Sequence, residues 1–161
     1  MRLKPLRPLR PLRPLRPLAR LLRRRGAAPA LAPRLEACLD VQALLALARE
    51  SFVRVQEAWD RGDELALAAV TTEPLMDDLR AQLRERAPGP HHTEVLRVEA
   101  ELLALEELRE AFVASVAFSG LIRENDAPGA LPFRELWLLA NPKQAAFPWH
   151  GWRLAGVQAL G

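Results

Sequence analysis

The sequence predicts an α+β fold: N-terminal helices packed on a curved four-stranded antiparallel sheet. Two observations predict it. Between Asp40 and Leu83 apolar residues recur at three- and four-residue intervals, the period of a helix with one buried face, whereas beyond Thr93 the interval falls to two, the period of a half-buried strand. Helices come first and strands after, and a slip of phase inside the first strand implies that the sheet bends.

The first helix is carried by Val41, Leu45, Ala48, Phe52, Val55 and Trp59, with Arg49, Glu50, Arg54 and Glu57 falling between them. Asp40 is suited to cap its start and Gly62 to end it, and Asp63 can cap a short second helix running through Val70. Thr72, Glu73 and Pro74 suit the first turn of a third helix, in which Leu75, Leu79 and Leu83 share a face and which Pro88-Gly89-Pro90 should end. In the first strand Leu96, Val98, Ala100 and Leu102 alternate with Arg97, Glu99 and Glu101, before Leu103 and Leu105 shift the phase as a bulge would. Phe112 to Ile122 is apolar or small on both faces, as an interior strand is. Phe133 to Leu139 and Trp152 to Leu160 supply the last two strands, and the loops Asn125-Asp126-Ala127-Pro128-Gly129 and Asn141-Pro142 carry turn-forming residues.

Charge divides the chain of 161 residues into unlike parts. Met1 to Arg25 holds ten Lys or Arg and no acid, which leaves thirteen bases against twenty acids downstream, a formal −7 for the body. Attraction to phosphate or anionic lipid therefore belongs to the first 25 residues, and the high isoelectric point is no sign that the body binds nucleic acid specifically. The organisation expected is a basic arm over 1–25, a linker of small residues and proline over 26–38, and one domain over 39–161. Cys38 is the only cysteine, so neither an intrachain disulfide nor a multi-thiolate metal site is available, and no metal or cofactor is expected. The chain given has no apolar stretch of membrane-spanning length and no secretory signal core.

The arm repeats Pro-Leu-Arg from Pro5 to Arg16. Proline at every third position favours polyproline II, which itself turns every three residues, so Leu6, Leu9, Leu12 and Leu15 align on one edge and Arg7, Arg10, Arg13 and Arg16 on another. At about 3.1 Å rise per residue the guanidinium groups recur roughly every 9 Å, and Arg23, Arg24 and Arg25 extend the positive field. Such a ladder suits an anionic membrane surface at about 1 kcal/mol per base. Two other readings stand beside this one: a functionless product of tripeptide slippage or of a start placed upstream, and a PxxP ligand for an aromatic groove.

FVRVQEAWDRGD in the first helix and TEVLRVEAELL, VASVAFSGLIRE, PFRELWLL and WRLAGVQAL in the strands fall in this order over about Leu39 to Leu160. In these segments the body resembles the Tim44-like domain family, which comprises the C-terminal domain of the membrane-anchoring subunit of the mitochondrial inner-membrane import machinery and its bacterial relatives. The resemblance implies the cone-shaped fold of the nuclear-transport-factor-two-like and cystatin-like superfamily, with an apolar pocket between helix and sheet. It also implies peripheral association with the inner membrane, binding of lipid or a protein partner and no established catalysis, and the location expected is cytoplasmic. The chaperone-recruiting extension of the mitochondrial proteins has no counterpart in this sequence.

Candidate residues follow from both lines. Phe52, Trp59, Leu79, Phe118, Trp137 and Trp152 fall on faces that could converge on the pocket, whose occupant would be an acyl chain or an apolar side chain of a partner. A pocket enzyme or small-ligand carrier is the alternative. It would need a tuned acid or base, and Glu135, which shares strand parity with Phe133 and Trp137, is the carboxylate placed to enter the interior. There is no tyrosine to assist, and no catalytic residue is assigned. His91 and His92 lie in a Pro-Gly-Pro loop without zinc-ligand spacing to His150, and Ser51, Ser115 and Ser119 have no base positioned beside them. The oligomeric state is open.

Overall fold

The computed structural model describes residues 40–125, 127–142 and 151–160. Helix α1 spans Val41–Arg61, and the Asp40 side chain accepts the Ala43 N–H at its start. Its end is set by Gly62 at φ 66°, a left-handed conformation that glycine adopts without a Cβ clash and that turns the Gly62 N–H back onto the Trp59 carbonyl. Asp63 then accepts the Ala66 N–H and starts α2, Glu64–Val70. Each such cap is worth about 0.5–2 kcal/mol, and together they fix a two-residue corner between the helices.

Helix α3 spans Glu73–Glu85 with Pro74 in its first turn. It stops short of the Pro-Gly-Pro expected to end it, because Arg86 has already left helical geometry at ψ 151°. There the Arg86 guanidinium donates through Nη1 to the Trp59 carbonyl at 2.6 Å and through Nη2 to the Asp60 carbonyl at 3.5 Å. These carbonyls belong to the last turn of α1, so the residue that follows α3 closes the end of α1.

The sheet is an antiparallel meander in the order β1-β2-β3-β4, comprising β1 Thr93–Glu107, β2 Ala111–Glu124, β3 Leu131–Pro142 and β4 Arg153–Ala159. β1 slips register against β2 twice, between Val95 and Arg97 and between Leu102 and Ala104. Leu103 is thus the bulge residue that the phase change implies. The first slip corrects the sequence expectation: Leu96 is itself a bulge residue, 40% exposed, and Val95 takes the inward place expected of it. A bulge sets two residues against one, so an apolar side chain is turned out wherever it is the extra one.

Just beyond the first bulge Gly120 pairs with Val98. A Cβ built on it would lie 1.9 Å from the Arg97 carbonyl oxygen and 3.0 Å from the Phe133 ring, so β1 can bend over β2 only because position 120 has no side chain. Helix α1 lies across the inner face of the sheet, burying Leu44, Leu45, Ala48 and Phe52 against Leu102, Leu105, Ala114, Val116, Phe118 and Trp137. Its C-terminus is tied to the start of β1, where both Asp60 carboxylate oxygens take hydrogen bonds from Thr93, one from its N–H and one from its hydroxyl. The junction of α2 and α3 meets β4: Thr71 bridges to Leu154 in parallel, and Arg153 donates to the carbonyls of Ala68, Ala69 and Thr71. Among the described residues no helix is long and apolar enough to cross a membrane.

Gly120→Ala is expected to lower stability by about 1–3 kcal/mol, the usual cost of forcing extra volume into a packed site. Gly129→Ala, where a Cβ meets no atom within 4 Å, should stay within about 0.5 kcal/mol. Urea midpoints of the two variants measure the difference, and equal midpoints would refute this account of the bend.

Candidate functional site

The alternation of β3 puts Phe133, Glu135, Trp137, Leu139 and Asn141 on the inner face, and that of β2 puts Phe118 beside them, directly across from Glu135. Phe52 reaches down from α1 into this group. Its ring lies 5.0 Å from Phe118, 5.1 Å from Phe133 at an interplanar angle of 15°, and 5.1 Å from Trp137, while Phe118 meets Trp137 edge-on at 5.0 Å. These are contact spacings, and ring pairs of this kind contribute about 0.5–1.5 kcal/mol each beyond their burial.

Three of the six residues expected to line a pocket, Phe52, Phe118 and Trp137, are therefore brought together, and they pack on one another. Phe133 is the fourth ring of the cluster and was not among the six. Leu79 is buried on α3 within the same core. Trp59 and Trp152 are half-buried at its margin, and Trp59 has the Arg86 guanidinium 5.8 Å from its ring centre. The arginines of the arm, from Arg7 to Arg25, lie outside the described residues.

Glu135 is the carboxylate that enters the interior. One oxygen accepts the Trp137 indole N–H at 2.9 Å, a bond between residues two apart that the strand period sets on one face. Burial pushes its carboxyl above the usual glutamate range, and the indole hydrogen bond opposes that rise without cancelling it. No ion pair forms at Glu135 among the described residues. The arrangement thus offers a desolvated acid beside an aromatic wall, with no second titratable side chain hydrogen-bonded to it. At the other end of the same inner face Asn141 is 1% exposed, and neither its Oδ1 nor its Nδ2 has a hydrogen-bond partner among the described residues.

A separate open cleft of about 550 Å³ lies on the α2–α3 side, lined by Thr71, Thr72, Met76, Asp77, Arg80 and Arg153 among others. Both its arginines are engaged, Arg80 with Glu64 and Asp77, and Arg153 with the end of α2. His91 and His92 take part in loop hydrogen bonds to Ala87 and Asn125, and His150 lies outside the described residues.

Comparison with known proteins bears on this geometry. The family model described as Tim44-like domain matches residues 26–159. No curated protein sequence matches. Among solved structures, a ketosteroid isomerase-like protein from Erwinia carotovora atroseptica is similar at 17% identity, over 76% of this chain and 99% of that chain, with a TM-score of 0.37. At that identity and score the likeness transfers no activity.

The sign of the Glu135 effect can be tested. Its folded pKa is raised above the unfolded one, so its contribution favours the fold below the usual glutamate range of about 4.3 and is lost as pH climbs through the folded value. Glu135→Gln keeps an acceptor for the Trp137 N–H and removes the charge. The variant should melt a few degrees above wild type at pH 7, and the gap should close by about pH 4. A gap that widens on acidification would reverse the assignment.

Proposed function

The chain belongs to the Tim44-like domain family, and from that membership we propose that it is a non-enzymatic binding domain that works as an adaptor at a membrane surface. Membrane association is the family's property. The observation that carries its application to this chain is the split of charge, ten bases without an acid in Met1 to Arg25 ahead of a body at formal −7. Anionic lipid attracts the first and repels the second, so the protein would meet the membrane arm first, with the body held off the surface. It would stay peripheral, at the cytoplasmic face of the inner membrane.

The partner of the body, on this reading, is an acyl chain or an apolar side chain of another protein. What supports it is the ring of half-buried aromatics, Trp59, Phe133 and Trp152, around a core whose other rings are fully buried. No cofactor, metal or specific nucleic acid enters the proposal. A second reading, a pocket enzyme or small-ligand carrier, draws on Glu135 and its raised pKa. It asks for a second group to share proton transfer or orient a substrate, and among the described residues none is hydrogen-bonded to Glu135 besides the Trp137 indole.

Sedimentation with liposomes distinguishes the two. The full chain should pellet with vesicles containing phosphatidylglycerol but not with neutral ones. Raising salt from about 0.05 to 0.5 M should release it, since the attraction is screened over a Debye length of about 10 Å at 0.1 M. Deleting Met1 to Arg25 should abolish pelleting while leaving the melting temperature unchanged; a deletion that pellets as well as the full chain would defeat the proposal.

A further inference from the structure

The two edges of the open sheet are unlike. β1 presents fifteen residues, interrupted by the bulges at Leu96 and Leu103 and carrying Glu94, Arg97, Glu99 and Glu101 on its solvent side. Bulges and charges are devices that keep an edge strand from pairing. From Leu154 to Leu160 the β4 segment has no charge and no proline.

Its first part is covered, because Thr71 bridges to Leu154 and the Thr72 N–H donates to the Leu154 carbonyl at 2.9 Å. The rest is not. The register shift between Leu138 and Leu139 leaves Ala155 without a partner, and beyond it Gly156 faces Leu138, Val157 faces Trp137, Gln158 faces Leu136 and Ala159 faces Glu135. The Leu160 N–H donates to the Arg134 carbonyl at 2.9 Å, which fixes the alternation. Gly156, Gln158 and Leu160 turn their peptide groups toward β3, and Val157 and Ala159 turn theirs away. No hydrogen bond to the outward groups of Val157 and Ala159 is formed among the described residues. The side chains of Gln158 and Ala159 are exposed, while Val157 is anchored in the core, so the edge is held rigidly at the surface.

We propose that this edge pairs with β4 of a second copy, antiparallel about a twofold axis at Gln158. In that register each Val157 lies opposite the other copy's Ala159, and the two such pairs form four main-chain hydrogen bonds. Gln158 meets its own counterpart on the axis, where each side-chain amide can donate to the other. A twofold contact sets a surface against itself. At β4 that operation brings together alanine, glycine, valine and glutamine, whereas β1 is broken by two bulges and carries Glu94, Arg97, Glu99 and Glu101. The contact is narrow, four main-chain bonds and one side-chain pair, so the dimer is a weak one that concentration on a surface would favour.

Sedimentation equilibrium of the full chain from about 1 μM to 1 mM, with hydrogen exchange at both ends of the range, tests this. The expected result is a monomer–dimer equilibrium in which the Val157 and Ala159 amides are protected only in the dimer. Gln158→Lys sets like charges on the axis, and Ala159→Pro removes an outward N–H without touching a bond to β3. Each should weaken association at least tenfold, while Glu99→Lys on β1 should not. Gln158→Lys should leave the melting temperature at low concentration unchanged, which separates lost pairing from lost folding. Three outcomes would overturn the proposal: a monomer at every concentration, a dimer indifferent to both β4 substitutions, or amides at 157 and 159 protected in the monomer, the sign of an edge already taken by another segment.

Discussion

The bend of β1 over β2 is the constraint on which the rest of the structure depends. A flat sheet offers one helix a line of contact, whereas a sheet bent by two single-residue bulges offers it a trough. The bend requires an extra residue in β1 at Leu96 and again at Leu103, and the absence of a side chain at Gly120, where the Arg97 carbonyl occupies the space of a Cβ. Only then can α1 lie deep enough for Phe52 to touch Phe118, Phe133 and Trp137 at once. The exposure of two leucines at the bulges, about 40% and 39%, is a direct result of that geometry.

Both ends of α1 are then tied down by polar groups rather than by more burial. Asp40 caps the start, while Arg86 and Gly62 close the end, and Asp60 holds the first residue of β1. Each tie joins segments distant in sequence except the caps, and each ends on a backbone group at a helix or strand terminus. The register of helix on sheet is fixed in this way, so the aromatic cluster has one arrangement rather than several of similar packing.

The caps were legible in the sequence because they are local: Asp40, Gly62, Asp63 and Pro74 announce their roles through their own conformational preferences. The four strands and their meander order were legible from period and turn residues. Of the two bulges only Leu103 was, since it breaks an alternation; Leu96 opens a run, Leu96-Val98-Ala100-Leu102, that reads as unbroken. The early end of α3 could not be read either, because Arg86 leaves the helix for carbonyls 26 and 27 residues away. For the site, strand parity found Phe118, Glu135 and Trp137 together. It also contained Phe133, which shares that parity, but Trp59 and Trp152 belong to the margin because distance along an element is not visible in a face count.

β3 is where the interior departs from what stability alone would select. Its inner face runs Phe133, Glu135, Trp137, Leu139, Asn141, so one polar group stands between two rings and another beyond Leu139. Glu135 is compensated in part by the Trp137 indole, and its raised pKa measures what is left uncompensated. Asn141 has no hydrogen-bond partner among the described residues, and a buried polar group left without one costs about 1–3 kcal/mol. An apolar residue at either place would serve the packing better. The sheet therefore concentrates its unfavourable terms on one interior strand, one of them between two rings of the aromatic cluster and the other beyond Leu139 on the same face.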